Sequence, residues 1–500
     1  MMSNRKKVTL AMLIATFLAA IEVTVVSTAI PRIASELGEI QHISWVFASY
    51  LLTSTVATPI FGKLADLFGR RRNFVWGAVI FLSGSMLSGT AQSMQQLIWF
   101  RAVQGIGAGA IMPTTFTIIG DIYPYEERAK VQGWISSVWG LSGLIGPLVG
   151  GFLVDYVSWR WIFYLNLPFG FVSVVMVLLF LKEEGKLQRI KIDYWGIITF
   201  SIAVTSLLYV LSAGGVVVPW NTPYLIGLMV LGAAGLVLFF WIETKVSEPM
   251  LPLHLFRVPA ILMANMVGFL ASSILIALNV YLPFWMQGVI GRGATESGLV
   301  LLPMSLGWLF GAIIGGRLML KTGPRQTALY GMIFILAGTI ILGKMDTDTP
   351  AWILPVVMLV SGLGFGFVMT VCTVIVQSMV GWNLRGVATA SNTFLRSLGQ
   401  TVGIAVFGTL FNHSMIEYVM AHPQEGKSVA IADVNRLLNP HHLSSVPEQL
   451  LNYMREALAL SMQHIFIILT GIAIVAICLV SGLPRSKPEP AGTPSELERA

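Results

Sequence analysis

Gly62-Lys-Leu-Ala-Asp-Leu-Phe-Gly-Arg-Arg71 returns 254 residues later as Gly316-Arg-Leu-Met-Leu-Lys-Thr-Gly-Pro-Arg325. Aligned without gaps, Gly62 meets Gly316, Lys63 meets Arg317, Leu64 meets Leu318, Gly69 meets Gly323 and Arg71 meets Arg325. Each copy lies between two long apolar runs. Glycines there allow a tight turn, and the basic residues hold that turn in water beside a membrane. The recurrence predicts two parallel halves of six helices. Such duplication is a transporter architecture, with substrate held near mid-membrane between the halves.

Composition agrees. Of the 500 residues, 55% are apolar and only 11% charged, and mean hydropathy is +0.77. Soluble proteins carry about 25% charged residues. A water-facing surface cannot be covered at the lower density. This excludes a secreted enzyme, a disulfide scaffold, a disordered regulator and a nucleic-acid binder. The net charge of +7 therefore reports on membrane topology. Cys372 and Cys478 lie in apolar runs without metal or redox spacing, as packing residues do. No Walker loop is present, so any transport is not driven by an ATPase of its own. No nucleophile–base or metal constellation points to an enzyme, a cofactor or a bound metal.

A helix needs about 20 apolar residues to cross the hydrocarbon. Fourteen such runs are legible. Six lie at 8–30, 44–62, 74–91, 97–120, 130–153 and 161–181, within a first bundle over 8–181. Two more, 194–214 and 224–242, sit in an inserted region over 182–260 that begins with a charged link, 182–193. The last six, 261–284, 297–316, 326–343, 352–376, 388–412 and 464–483, make a second bundle over 261–483. That bundle includes a long outer loop, 413–463, which bears His413, His422, His441 and His442, read as surface residues. Residues 484–500, with four prolines, read as a disordered tail. The first run follows Arg5, Lys6 and Lys7 but carries Glu22 and lacks a small-x-small site, so it reads as a retained helix. With the N-terminus inside, cytoplasmic segments collect 21 Lys and Arg against 7 outside. Both termini are therefore expected in the cytoplasm.

Five phrases resemble one family. They are Glu22-Val-Thr24-Val-Val-Ser-Thr-Ala-Ile-Pro31, the 62–72 turn, Arg101-Ala-Val-Gln104-Gly105-Ile-Gly107-Ala-Gly109, Gly143-Leu-Ile-Gly146-Pro147-Leu-Val-Gly150-Gly151 and Trp159-Arg-Trp-Ile-Phe-Tyr-Leu-Asn166-Leu-Pro168. Together they are similar to the signatures of the major facilitator superfamily, specifically its 14-span drug:proton antiporters. Glu22 stands where that family more often has Asp. The resemblance is strong over spans 1–6 and looser over 9–14. It implies an all-α polytopic fold: fourteen transmembrane helices, two six-helix halves and two inserted helices. It also implies a plasma-membrane protein, usually monomeric, that exchanges protons for small hydrophobic or cationic substrates.

Glu22 is the only acid deep in a span, and a carboxylate in lipid is expensive enough to mark a functional site. A proton and an organic cation can compete for it, which is the elementary act of antiport. The alternative is a structural carboxylate fixed by an arginine. Arg101, about 6 Å into span 4 at 1.5 Å per residue, is its natural partner, directly or through Gln104. Arg396 in span 13 reads as structural polar glue. Gly62, Asp66, Gly69 and Arg70, with Asp121 at the inner end of span 4, suit a cytoplasmic gate latch, or else a topology anchor. Gly143, Gly146, Gly150 and Gly151 form a stripe for close helix approach, and Pro147 bends span 5. Tyr50, Gln104, Trp139, Asn279, Tyr281 and Asn392, with Glu22, are candidate substrate contacts. The expected function is proton-driven export of hydrophobic, cationic drugs or dyes. A dedicated exporter of a metabolite, lipid, siderophore or antibiotic, and a non-transporting receptor or scaffold, would use the same fold.

Overall fold

The computed structural model describes residues 4–39, 42–123, 125–182, 193–214, 218–246, 253–347, 349–380, 385–422 and 448–485. Its elements are α1 (Asn4–Leu37), α2 (Ile43–Phe68), α3 (Arg70–Thr90), α4 (Met94–Ile122), α5 (Tyr125–Tyr156), the single turn α6 (Trp161–Tyr164), α7 (Asn166–Phe180), α8 (Tyr194–Ala213) and α9 (Pro223–Glu243). The chain continues with α10 (Pro259–Phe284), α11 (Ala294–Thr322), α12 (Pro324–Gly343), α13 (Ile353–Ser378), α14 (Arg385–Ala421) and α15 (Glu448–Val480). Helices dominate because lipid offers no partner for an exposed peptide group. Local chemistry sets their starts. Ser93 accepts from the backbone N–H of Gln96 and Asp193 from that of Gly196, while α9, α10 and α12 each open on proline, where its missing N–H costs nothing.

Thirteen helical stretches among the described residues are long and apolar enough to cross a membrane. The helix outside that set is α3, whose first turn is Arg70, Arg71, Arg72 and Asn73. Its 21 residues still span about 31 Å at 1.5 Å each. Its small residues fit closely against α4: a Cβ on Gly84 would meet Gln104 Cα at 2.6 Å. With α3, the fourteen expected spans are all present as helices.

The halves repeat. In the first, α1 packs on α5 and α7, and α4 on both α2 and α3. In the second, α10 packs on α14 and α15, and α13 on both α11 and α12. The turn glycines repeat as well: Gly69 has φ 91° and ψ 147°, and Gly323 has φ 88° and ψ 162°. The two copies of the sequence motif therefore share one backbone conformation, in a region that favours glycine.

Two seams join the halves, α5 against α11 and α2 against α14. The inserted α8 lies on the second seam. Tyr209 meets Trp45 of α2 at 5.7 Å between ring centres, and Phe200 meets Phe394 of α14 at 5.5 Å. Phe200, Val204, Leu208 and Phe239 bury a common cluster with Leu52 and Ala405.

One expectation needs correction. Residues 413–421 continue α14 and residues 448–463 belong to α15, so the 413–463 segment is not one long loop. Tyr418 and Tyr453 pack with ring centres 5.3 Å apart, holding the extensions together. Polarity rises at Asn412, His413 and Glu417, but a change of polarity does not end a helix. His413 and His422 lie on or beside α14, whereas His441 and His442 fall outside the described residues, as do 183–192 of the charged link and the tail from 486. Cys372 is buried and Cys478 exposed, both as free thiols.

Candidate functional site

The charged core of the first half is built by five helices. α1 supplies Glu22, α4 supplies Arg101 and Gln104, α7 supplies Asn166, α3 supplies Ser85 and α2 supplies Tyr50. Glu22 is 2% exposed and Arg101 is fully buried. Arg101 Nη1 donates to Glu22 Oε1 and also to Gln104 Oε1, the latter at 2.7 Å. Asn166 Nδ2 donates to Glu22 Oε2 at 2.7 Å and to Ser85 Oγ at 2.9 Å. Arg101 Nε donates to the Val46 carbonyl at 3.3 Å, and its guanidinium lies 4.2 Å from the centre of the Tyr50 ring. Both carboxylate oxygens are thus occupied. A buried ion pair repays its desolvation only with such additional partners, and removing one member costs about 3–5 kcal/mol. Arg101 Nη2 and Gln104 Nε2 have no protein partner, so the cluster holds surplus donors around a single negative charge.

The glycine stripe of α5 has two faces. Gly146 and Gly150 turn to α1: a Cβ on Gly146 would strike Thr24, and one on Gly150 would stand 2.9 Å from the Val25 carbonyl oxygen. Gly143 and Gly151 turn to α11: a Cβ on Gly143 would stand 2.7 Å from Ser305 Oγ, and one on Gly151 2.5 Å from Thr295 Cα. Pro147 meets Gly298 on the same side. One turn further, Asp155 accepts from the backbone N–H of Ala294 at 3.1 Å and of Thr295 at 2.8 Å. α5 therefore touches the helix that carries Glu22 and the opposite half at once.

The sequence profile of the Major Facilitator Superfamily matches residues 12–404. The chain belongs to this superfamily. Among curated relatives of this facilitator, multidrug resistance protein 3 of Bacillus subtilis strain 168 is 35% identical over 486 residues, covering 96% of this chain and 95% of the relative. The multidrug transporter protein MdtP of the same strain is 35% identical over 498 residues, covering 95% and 92%. The fold is that of a bacterial homologue of the human lysosomal transporter Spinster, at a TM-score of 0.66, 16% identity and 97% and 98% coverage.

The remaining expected residues of the facilitator divide clearly. Tyr50 and Gln104 belong to the Glu22–Arg101 cluster and face Arg101 rather than a cleft. Asn279 is buried and donates to the Leu275 carbonyl at 3.1 Å. Tyr281 is buried beside Phe411, 5.7 Å between ring centres. Asn392 is buried and donates to Asn265 Oδ1 at 2.8 Å. Trp139 is 45% exposed on α5. Gly62 lies within α2 with open space around it, and Gly69 makes the sharp bend between α2 and α3. The side chains of Asp66 and Asp121 lie outside the described residues, and with them the expected latch. Among the described residues Arg396 has no ion-pair or hydrogen-bond partner, and the Asn392–Asn265 pair lies beside it.

Asn166 and Ser85 were not singled out as site residues from sequence. Asn166 had a signal, an amide at the start of an otherwise apolar run. Ser85 had none, since serine is common in such helices. Gln287, like Asn279 a polar residue of span 9 that the sequence offers as a candidate substrate contact, is tied to the other half. It lies in a π-turn, Trp285–Val289, after α10, and donates to the Thr28 carbonyl of α1 at 3.1 Å. Single π-turns within helices often mark functional positions.

Proposed function

We propose that the chain is a proton-coupled antiporter that exports hydrophobic drugs or dyes across the plasma membrane. It works by alternating access as a monomer, with both termini in the cytoplasm and the proton gradient as energy source. The multidrug names of the two Bacillus relatives support the substrate class. The observation that carries the reading is the buried Glu22–Arg101 pair, held by Asn166 and Gln104 on separate helices.

Protonating Glu22 removes the only negative charge facing Arg101. The guanidinium is then uncompensated in a dry interior, and the contacts among α1, α4 and α7 must rearrange. α1 carries Thr24 and Thr28 against Gly146 and Gly150 of α5, and the other face of α5 lies on α11. Motion at Glu22 thus has a direct mechanical route to the seam between the halves. The carboxylate acts from inside the first bundle. In this conformation it does not reach a substrate in the cleft, because Arg101 and Asn166 occupy it.

The test is dye export with Glu22→Gln in inverted vesicles under an imposed pH gradient. Transport should fall to background while dye binding persists. Undiminished gradient-driven export rejects Glu22 as the proton carrier.

A further inference from the structure

We propose that Arg396, with Asn265 and Asn392, forms a subsite for the carboxylate of an amphiphilic substrate, so that organic acids and zwitterions are bound through it. This rests on the reading of the chain as an exporter.

Arg396 lies 11 residues into α14, about 16 Å from its start, and Gly268 beside it lies about 14 Å into α10. Both are near the middle of a hydrocarbon layer about 30 Å thick. A Cβ on Gly268 would stand 3.4 Å from Arg396 Cγ and 3.8 Å from Asn392 Nδ2. These are ordinary van der Waals separations, so glycine leaves room for about one methyl beside both side chains.

A guanidinium offers five N–H donors and accepts none. Arg101 shows how this fold treats such a group, with a carboxylate, an amide, a carbonyl and a tyrosine ring around it. Arg396 has none of these, and its side chain is not sealed from solvent. Asn265 is fully buried, its Oδ1 is taken by Asn392, and its Nδ2 has no partner. The Arg396 guanidinium and Asn265 Nδ2 are thus donors without a partner among the described residues, and a carboxylate would accept from both.

The charge balance points the same way. Three charged residues fall deep in the fourteen spans: Glu22, Arg101 and Arg396. The first two neutralise each other, so one positive charge remains. It repels a cation and attracts a carboxylate, whose two oxygens match the guanidinium fork.

Binding of dansylglycine, an anion, and dansylglycinamide, its neutral analogue, to the purified full-length protein tests this by fluorescence titration. Arg396→Gln should weaken dansylglycine about tenfold, the low end for a hydrogen bond to a charged group, and leave the amide unchanged. Arg396→Lys, which keeps the charge without the fork, should fall between. Retained amide binding shows that the variant is folded. Equal weakening of both probes, or no effect on either, overturns the subsite. Export of the amide by wild-type vesicles under a pH gradient reports separately on the exporter reading. If that export proceeds while Arg396→Gln leaves dansylglycine binding intact, only the subsite fails. If neither probe is exported but the binding difference stands, the subsite holds and the exporter reading fails.

Discussion

Asp155 Oδ2 accepts a hydrogen bond from the backbone N–H of Thr295 at 2.8 Å, tying the last turn of α5 to the first turn of α11 across the two halves. The first N–H groups of a helix have no partner within it and carry partial positive charge. Asp155 is the cap of α11, supplied by the other half of the molecule. Opening this face of the seam must break it.

Asp155→Ala should therefore shift the conformational balance toward opening at that end. Loss of a cap costs about 1 kcal/mol, which corresponds to about a fivefold change in population. With Cys478 replaced by serine, a reporter Ser297→Cys should react with a water-soluble maleimide about five times faster in the Asp155→Ala background. Ser297 is 1% exposed in the present state. An unchanged labelling rate would show that the cap does not hold the seam.

The two faces of α5 should respond differently to a single added methyl. Gly146→Ala is overpacked against α1 within one half, and about 1–3 kcal/mol of stability should be lost, read as a lower melting temperature in detergent. Gly151→Ala meets the backbone of Thr295 in the other half. It should wedge the seam, leaving melting nearly unchanged while gradient-driven export falls. Reversal of the two phenotypes would contradict the assignment of faces.

Asn166 should act only through Glu22. Asn166→Ala removes one hydrogen bond to a charged group, and export should fall about tenfold. Combined with Glu22→Gln, it should cause no further loss, because the two changes remove one interaction. Additive losses would place Asn166 in a separate role.

Arg101→Lys should not be conservative. A lysine has no planar fork to serve Glu22, Gln104 and the Val46 carbonyl together. Export should approach the level of Glu22→Gln, while dye binding in the cleft remains.

The repeated turns give a paired prediction. Gly69→Ala and Gly323→Ala force alanine to φ near +90° with an extended ψ, a region essentially confined to glycine, at a cost of about 1–3 kcal/mol each. Gly62→Ala and Gly316→Ala meet nothing within 4 Å and lie in helices, where alanine is favoured by about 0.5–1 kcal/mol. Thermal melting of the four variants should separate them into those two pairs.

Much of this was legible from residue order. The fourteen helices follow from apolar length, and the two halves from the return of Gly62–Arg71 at Gly316–Arg325. The link between Glu22 and Arg101 followed from scarcity, since lipid leaves a lone acid few partners. Where polar or aromatic residues in apolar runs, such as Tyr50, Asn279 and Tyr281, pack was not legible, because hydropathy cannot say which way a helix is rotated. Residue order gave Asn392 and Arg396 no partners, and the helix packing sets Asn392 against Asn265 of α10.

Hydropathy, charge bias and an internal repeat settled on their own that this is a polytopic membrane protein of two like bundles, because the bilayer demands long apolar helices whatever their packing. Only the tertiary structure decided which side chains share a space. It closed Glu22 with Asn166 from 144 residues away, gave the two faces of α5 to different halves, and left Arg396 without a counter-charge. Those outcomes depend on helix rotation and approach, which arise from side-chain packing between distant segments and have no period in the chain.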